Sequence, residues 1–130
     1  MRLRLSVLCA VAFALASAAA QPRVPEAAEA FAQRQADLVT LAGHLGELHR
    51  LRQVCYVEEG PDLFRQRMMS IVPLEMPMGA TRLDMISAFN AGYRAASGQH
   101  AICGREARAA YSRTAERALG VTERLYAPFR

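Results

Sequence analysis

The stretch from Leu38 to Cys55, LVTLAGHLGELHRLRQVC, constrains the fold of this chain more than any other feature. An ideal helical wheel places Phe31 and the leucines of this stretch on one broad face that also includes Cys55. A face of that width must pack against other helices. Pro25, followed by Glu26, suits a helix start because Pro fits the first turn and acids complement the N-terminal dipole. The pattern therefore predicts one long amphipathic helix from about Pro25 to Cys55.

Two glycines, Gly43 and Gly46, lie inside this predicted helix, where each costs up to about 1 kcal/mol relative to alanine. Such residues either let another backbone approach closely or mark a bend. We favour close approach of another helix.

The first twenty residues have the pattern of a secretory signal peptide. Arg2 and Arg4 precede an apolar run, and Ala18 and Ala20 supply the small residues of a cleavage site. The run is shorter than the roughly 20 residues that span a bilayer. We therefore expect cleavage after Ala20, no stable membrane span afterwards, and a single domain at residues 21–130.

Charge and cysteine content narrow the class of protein. Removing residues 1–20 lowers the formal net charge from +4 to +2, so the composition does not indicate a nucleic-acid partner. Cys9 lies in the signal segment, which leaves Cys55 and Cys103. In an oxidising compartment this pair predicts one disulfide, because the chain has neither a CxxC motif nor zinc-type Cys/His spacing.

Three further helices follow from the pattern of apolar residues and breaks. Gly60-Pro61-Asp62 restarts helix formation, which predicts a second helix at 62–72 and a loop at 73–80. Thr81 and Asp84 resemble a capping box, which predicts a third helix at 82–96. The amphipathic run from about Ala101 predicts a fourth helix. We therefore expect an all-α, compact four-helix domain with one disulfide.

Polar side chains interrupt the apolar faces of the first and third predicted helices. They form a candidate binding site or polar network: His49, Arg52, Asn90, Tyr93 and Arg94, with Glu75 as the predicted carboxylate partner of Arg52 or Arg94. One interpretation is a paired structural network, since buried polar groups are normally hydrogen-bonded. The other is a pocket for a ligand or partner.

Catalytic signatures are absent from the sequence. No GxSxG or HExxH motif occurs, and His44 and His49 diverge by about 140° on a helix. We predict no enzymatic activity, no catalytic residue and no cofactor. A cluster of methionines offers an alternative metal site, because thioethers prefer Cu(I); it comprises Met68, Met69, Met76, Met78 and Met85.

Several short segments resemble a small family of exported alphaproteobacterial proteins of unknown function. The segments are LGELHRLRQVC ending at Cys55, AFNAGYR at 88–94, and Cys103, with Phe64-Arg65 between them. Where the family pattern has Trp in that middle segment, this chain has Phe64. The resemblance supplies no activity, and it implies a secreted helical domain of the bacterial envelope.

These observations favour a periplasmic accessory or binding protein whose partner is an envelope protein or a cell-wall component. A periplasmic copper-binding protein and an immunity protein against a secreted toxin are the alternatives.

Overall fold

The computed structural model describes residues 23–75 and 79–130, and over these ranges the protein is all-α. Helix α1 spans Val24–Cys55, α2 spans Leu63–Ile71, α3 spans Ala80–Gln99 and α4 spans Arg105–Tyr126. Short 3₁₀ turns occupy Val57–Glu59, Val72–Leu74 and Ala127–Phe129. The predicted fold class is confirmed. The signal-peptide prediction lies outside the described residues.

Helix α1 is the centre of the domain, and the other three helices pack around it. Contacts at both ends of α1 show that α3 runs parallel to it, whereas α2 and α4 run antiparallel. Its predicted leucine face is buried, and it forms the core with Met68, Met85 and Val121. Phe31 is an exception: it was expected on the buried face but is exposed, because within residues 23–75 and 79–130 no other helix covers this part of α1.

Close packing between α1 and α3 depends on glycine. A Cβ added to Gly46 would overlap the carbonyl group of Phe89, and one added to Gly92 would overlap the carbonyl oxygen of Gly43. Without these side chains the two backbones touch directly. The prediction that a glycine of α1 permits close approach is confirmed at Gly46.

The boundaries of α3 and α4 differ from the predicted ones. Gly79 stands at the N-cap of α3, so Thr81 lies inside the helix and the predicted capping box is wrong. The helix also continues through Ser97 to Gln99, because the Ser97 hydroxyl donates to the Tyr93 carbonyl and the His100 amide to that of Ala96. Helix α4 starts later than expected, at Arg105.

A disulfide joins Cys55 to Cys103, with a Cα–Cα distance of 4.9 Å, as the cysteine count predicted. It connects the end of α1 to the segment that leads into α4. Within the described part of the chain, no helix is long and apolar enough to cross a membrane.

Candidate functional site

The predicted polar set separates into two groups. His49, Arg52 and Tyr93 lie together near the C-terminal end of α1, with His49 and Arg52 buried. Glu75, Asn90 and Arg94 do not join them. Only the first group forms a network in the structure.

Arg52 is the hub of this network. Its Nε donates to the carbonyl oxygen of Gly60 at 2.7 Å, and its Nη1 donates to the hydroxyl of Tyr111 at 3.1 Å. The third guanidinium nitrogen, Nη2, donates to the carbonyl oxygen of Glu59. The cation also lies 5.8 Å from the centre of the Phe64 ring. Arg52 therefore holds the turn before α2 against α1 and α4, and its charge is compensated by carbonyl oxygens.

His49 belongs to a chain of hydrogen bonds that crosses from α3 to the same turn. The Tyr93 hydroxyl donates to Gln53 Oε1 at 3.0 Å, and Gln53 Nε2 lies 3.3 Å from His49 Nε2. His49 Nδ1 lies 3.2 Å from the carbonyl oxygen of Pro61. Because a carbonyl can only accept, the proton belongs on Nδ1, and Nε2 is free to accept from Gln53. The arrangement fits a neutral imidazole, and it favours the structural interpretation of this network.

Burial lowers the pKa of His49 below 6.5, and Arg65 lowers it further, whereas the Pro61 carbonyl and Asp62 oppose the shift. Burial also lowers the pKa of His44, with Arg117 adding to the effect and Glu47 opposing it. Since folding lowers both values, the unfolded chain binds protons more readily. As far as these two histidines determine it, the free energy of unfolding should therefore be highest above about pH 6.5 and should decline as the pH falls through that value.

We expect the free energy of unfolding, measured with urea, to be lower at pH 5.5 than at pH 7.5. His49→Gln should reduce this difference because it removes one of the two histidines whose pKa is lowered on folding. His100→Gln makes the same exchange outside the network and serves as the control. A difference between the two pH values that His49→Gln leaves unchanged would contradict the assigned role of His49.

Glu75 does not face Arg52 or Arg94, so its predicted pairing is wrong. It accepts two hydrogen bonds from Arg34, at 3.0 and 3.2 Å, and is itself buried. The 3₁₀ turn after α2 carries Glu75 toward the N-terminal half of α1, far along the helix from Arg52. Asn90 and Arg94 are exposed on the outer face of α3, because its glycine-bearing face is the one that packs on α1.

The methionine cluster does not converge on one site within the described residues. Met68 and Met85 are buried in the apolar core, and Met69 is exposed. Met76 and Met78 lie outside the described residues. The described ranges also contain no group of three or more His, Cys, Asp or Glu side chains arranged to hold a metal ion.

Two ion pairs between α1 and α4 were not anticipated from the sequence. Asp37 accepts from Arg124 at 2.7 Å, and this hydrogen bond lowers the pKa of the Asp37 carboxyl. Further along α1, Glu47 and Arg117 form the second pair. The buried Thr114 hydroxyl lies between them, where it donates to Glu47 at 2.6 Å and accepts from Arg117 at 2.7 Å. The second cluster borders a polar cleft of about 470 Å³ beside His100.

A groove of about 520 Å³ lies between α2 and α4, and α1 forms its floor. It exists because α2 and α4 both pack on α1 but their backbones do not pack on each other. Ring contact between Phe64 and Tyr111, at 6.2 Å, joins the two helices near the C-terminal end of α1. Toward the N-terminal end of α1, the two walls of the groove, α2 and α4, are separate.

Apolar side chains form most of this groove. Leu38, Leu41 and Leu45 line its floor, and Ile71 and Leu125 belong to its walls. The rim carries three exposed apolar side chains: Leu74 at 81%, Tyr126 at 64% and Phe129 at 79% exposure.

The polar groups of the groove are few. Arg34 and Glu75 form their ion pair at its edge, and Arg67 lies beside them. A concave apolar site with a few polar groups is typical of ligand and peptide recognition. Sequence analysis missed this groove, and the only signal available was the spacing of Leu38, Leu41 and Leu45, which equally describes a core.

A family model described as a protein of unknown function, DUF2385, matches residues 34–129. The matched range includes every residue that lines the groove and both cysteines of the disulfide. No curated protein and no solved structure matches the chain. Because the model covers most of the chain, this protein belongs to the DUF2385 family.

Proposed function

We propose that this protein is an exported accessory protein of the bacterial cell envelope that binds a partner protein, whose amphipathic helix occupies the groove between α2 and α4. The groove is the observation that carries the proposal. Export is supported by the signal-peptide pattern of residues 1–20 and by the disulfide, a bond that persists in oxidising compartments.

The exposed rim favours a protein partner over a small molecule. A small ligand could fill the groove and still leave Leu74, Tyr126 and Phe129 in water. A helix lying along the groove would place apolar side chains inside it and cover the rim at the same time. The guanidinium of Arg67 forms no hydrogen bond or ion pair with another described residue, so it is available to an acidic side chain of the partner.

The groove replaces the surface that the sequence had suggested. His49 and Arg52 are buried, and their polar groups already have partners within the protein. Asn90 and Arg94 are accessible, but no residue of α3 lines the groove. Binding through the groove leaves the polar network with the structural role that its hydrogen bonds describe.

Site-specific photocrosslinking tests this proposal in cells that express the full chain. Benzoylphenylalanine at Leu74, on the rim, should form an adduct with one defined protein. The same probe at Leu119, which is 60% exposed and does not line the groove, is the control. Adding Phe129→Asp to the Leu74 probe should reduce the adduct at least tenfold, because a charge on the rim opposes apolar contact.

Mass spectrometry of the adduct would identify the crosslinked segment, which should be an amphipathic helix. No adduct from Leu74, or an equal adduct from Leu119, would refute binding through the groove.

A further inference from the structure

The first turns of α1 extend beyond the rest of the domain. Every residue from Arg23 to Arg34 is exposed, and the regular burial of α1 begins at Asp37. We call Val24 to Gln33 the arm. Val24 and Phe31 are large apolar residues of the arm with exposures of 84% and 64%.

The apolar stripe of the arm continues the floor of the groove. On an ideal helix, Val24, Ala27 and Phe31 fall within about 100° of arc together with the floor leucines. In its second half this stripe lies between α2 and α4 at the bottom of the groove, whereas in its first half, from Val24 to Phe31, it is exposed. This division gives the molecule an apolar helix and an apolar groove side by side.

We infer that the partner helix of the groove is the arm of a second copy of this chain, so that two copies form a symmetric dimer. The inference rests on the proposed function of the groove and names its partner. In an isologous dimer each copy contributes the same surface, and here that surface contains both the arm and the groove that receives it.

The arm and the groove agree in length and register with a dimer in which each arm lies in the groove of the other copy. At 1.5 Å per residue, the arm is about 15 Å long, and the stretch of α1 from Arg34 at the rim to Leu45 on the floor is about 18 Å long. If two α1 helices lie antiparallel with Phe31 over Leu38, then Val24 lies over Leu45, and Ala27 lies one residue from the position opposite Leu41. The twofold axis then passes near Arg34.

Charge also favours this pairing. The arm contains Glu26 and Glu29 and no basic residue. The rim contains Arg34 and Arg67 against the single acid Glu75. At the twofold axis, the two Arg34 side chains do not meet as bare charges, because each is bound to Glu75 of its own chain.

The arm side chains suit the dimensions of the groove. A whole helix is too large for a volume of about 520 Å³, so the helix would rest on the rim and insert only its apolar side chains. Phe31 is the largest of these, and it is 64% exposed and does not belong to the described core. Its substitution should therefore weaken the dimer without disturbing the fold.

Sedimentation equilibrium of the purified protein tests the inference. We expect a species of twice the monomer mass, and a dissociation constant that rises at least tenfold in Phe31→Asp. Leu119→Asp places the same charge at an exposed apolar residue of similar accessibility outside the arm and groove, and should leave the dimer intact. Circular dichroism should show that both variants keep the helical content of the unmodified protein.

A monomer at 100 µM, or a dimer that Phe31→Asp leaves unchanged, would overturn the inference. The Leu74 photoadduct separates this failure from failure of the proposed function. An adduct joining Leu74 to the arm of a second copy supports both. A monomeric protein whose Leu74 probe captures a helix of another protein keeps the proposed function and refutes the dimer. A monomeric protein with no adduct refutes both.

Discussion

Replacing Gly46 with alanine is expected to lower the free energy of unfolding by about 3 kcal/mol. The added Cβ would lie 2.7 Å from the carbonyl carbon of Phe89 and still closer to its oxygen. The obstacle is backbone and not a flexible side chain, so the clash is relieved only if α1 and α3 move apart. Moving them apart would also loosen the packing of Met85 and Phe89 in the core.

Gly43→Ala is the matched control for this variant. Gly43 lies one turn earlier in the same helix, and its added Cβ would meet only ordinary contacts, at 3.8 Å and 4.0 Å from Ala88. Because alanine has the higher helix propensity, Gly43→Ala should be neutral or stabilising by up to about 1 kcal/mol. Urea denaturation measures both variants. Equal effects of the two substitutions would contradict the close packing of α1 on α3.

The sequence predicted the number of helices, the buried stripe of α1 and the disulfide because each depends on local spacing or on composition. Helical periodicity identifies the leucine face of α1 without reference to any other element. If residues 1–20 are removed, as the sequence predicts, the two remaining cysteines admit a single intramolecular bridge. These predictions did not require knowledge of which helices are neighbours.

The predicted buried face of α3 was wrong, because hydrophobicity does not determine which face of this helix contacts α1. The helical periodicity of residues 82–96 places Leu83 and Ile86 on the apolar face predicted to be buried, and Asn90 interrupts that face. In the structure the face that contacts α1 is centred on Gly92 and Ala96, which allow the backbones to touch. The larger residues Leu83 and Ile86 consequently face outward, and Asn90 with them.

The groove could not be predicted because it is a gap between elements. Its floor residues have the spacing of a core helix and are themselves buried, and only the positions of α2 and α4 leave a gap above them. The Arg34–Glu75 pair is similar, since its members are 41 positions apart in the sequence. Of the predicted polar site, the residues on α1 and Tyr93 were placed correctly together, because α1 and α3 are neighbours at that level.

Removing the disulfide is expected to have the largest effect on stability. Cys55 and Cys103 are 48 positions apart, and closing a loop of that length stabilises a fold by about 4 kcal/mol in the chain-entropy model. Small domains have total stabilities of about 5–15 kcal/mol, so the double variant Cys55→Ser/Cys103→Ser should lose much of its stability. The bridge also holds the segment before α4 beside the end of α1, where Arg52 binds Tyr111.

Urea denaturation of the double variant under oxidising conditions measures this effect, and Cys9→Ser is the matched control. Cys9 lies in the segment that we expect to be removed, so its substitution should not change the stability of the exported protein. A reductant should lower the stability of the unmodified protein to that of the double variant and leave the double variant unaffected. If the unmodified protein has the same stability with and without reductant, then α4 is held to α1 by its side-chain contacts alone, chiefly Arg124 with Asp37 and Thr114 with Glu47.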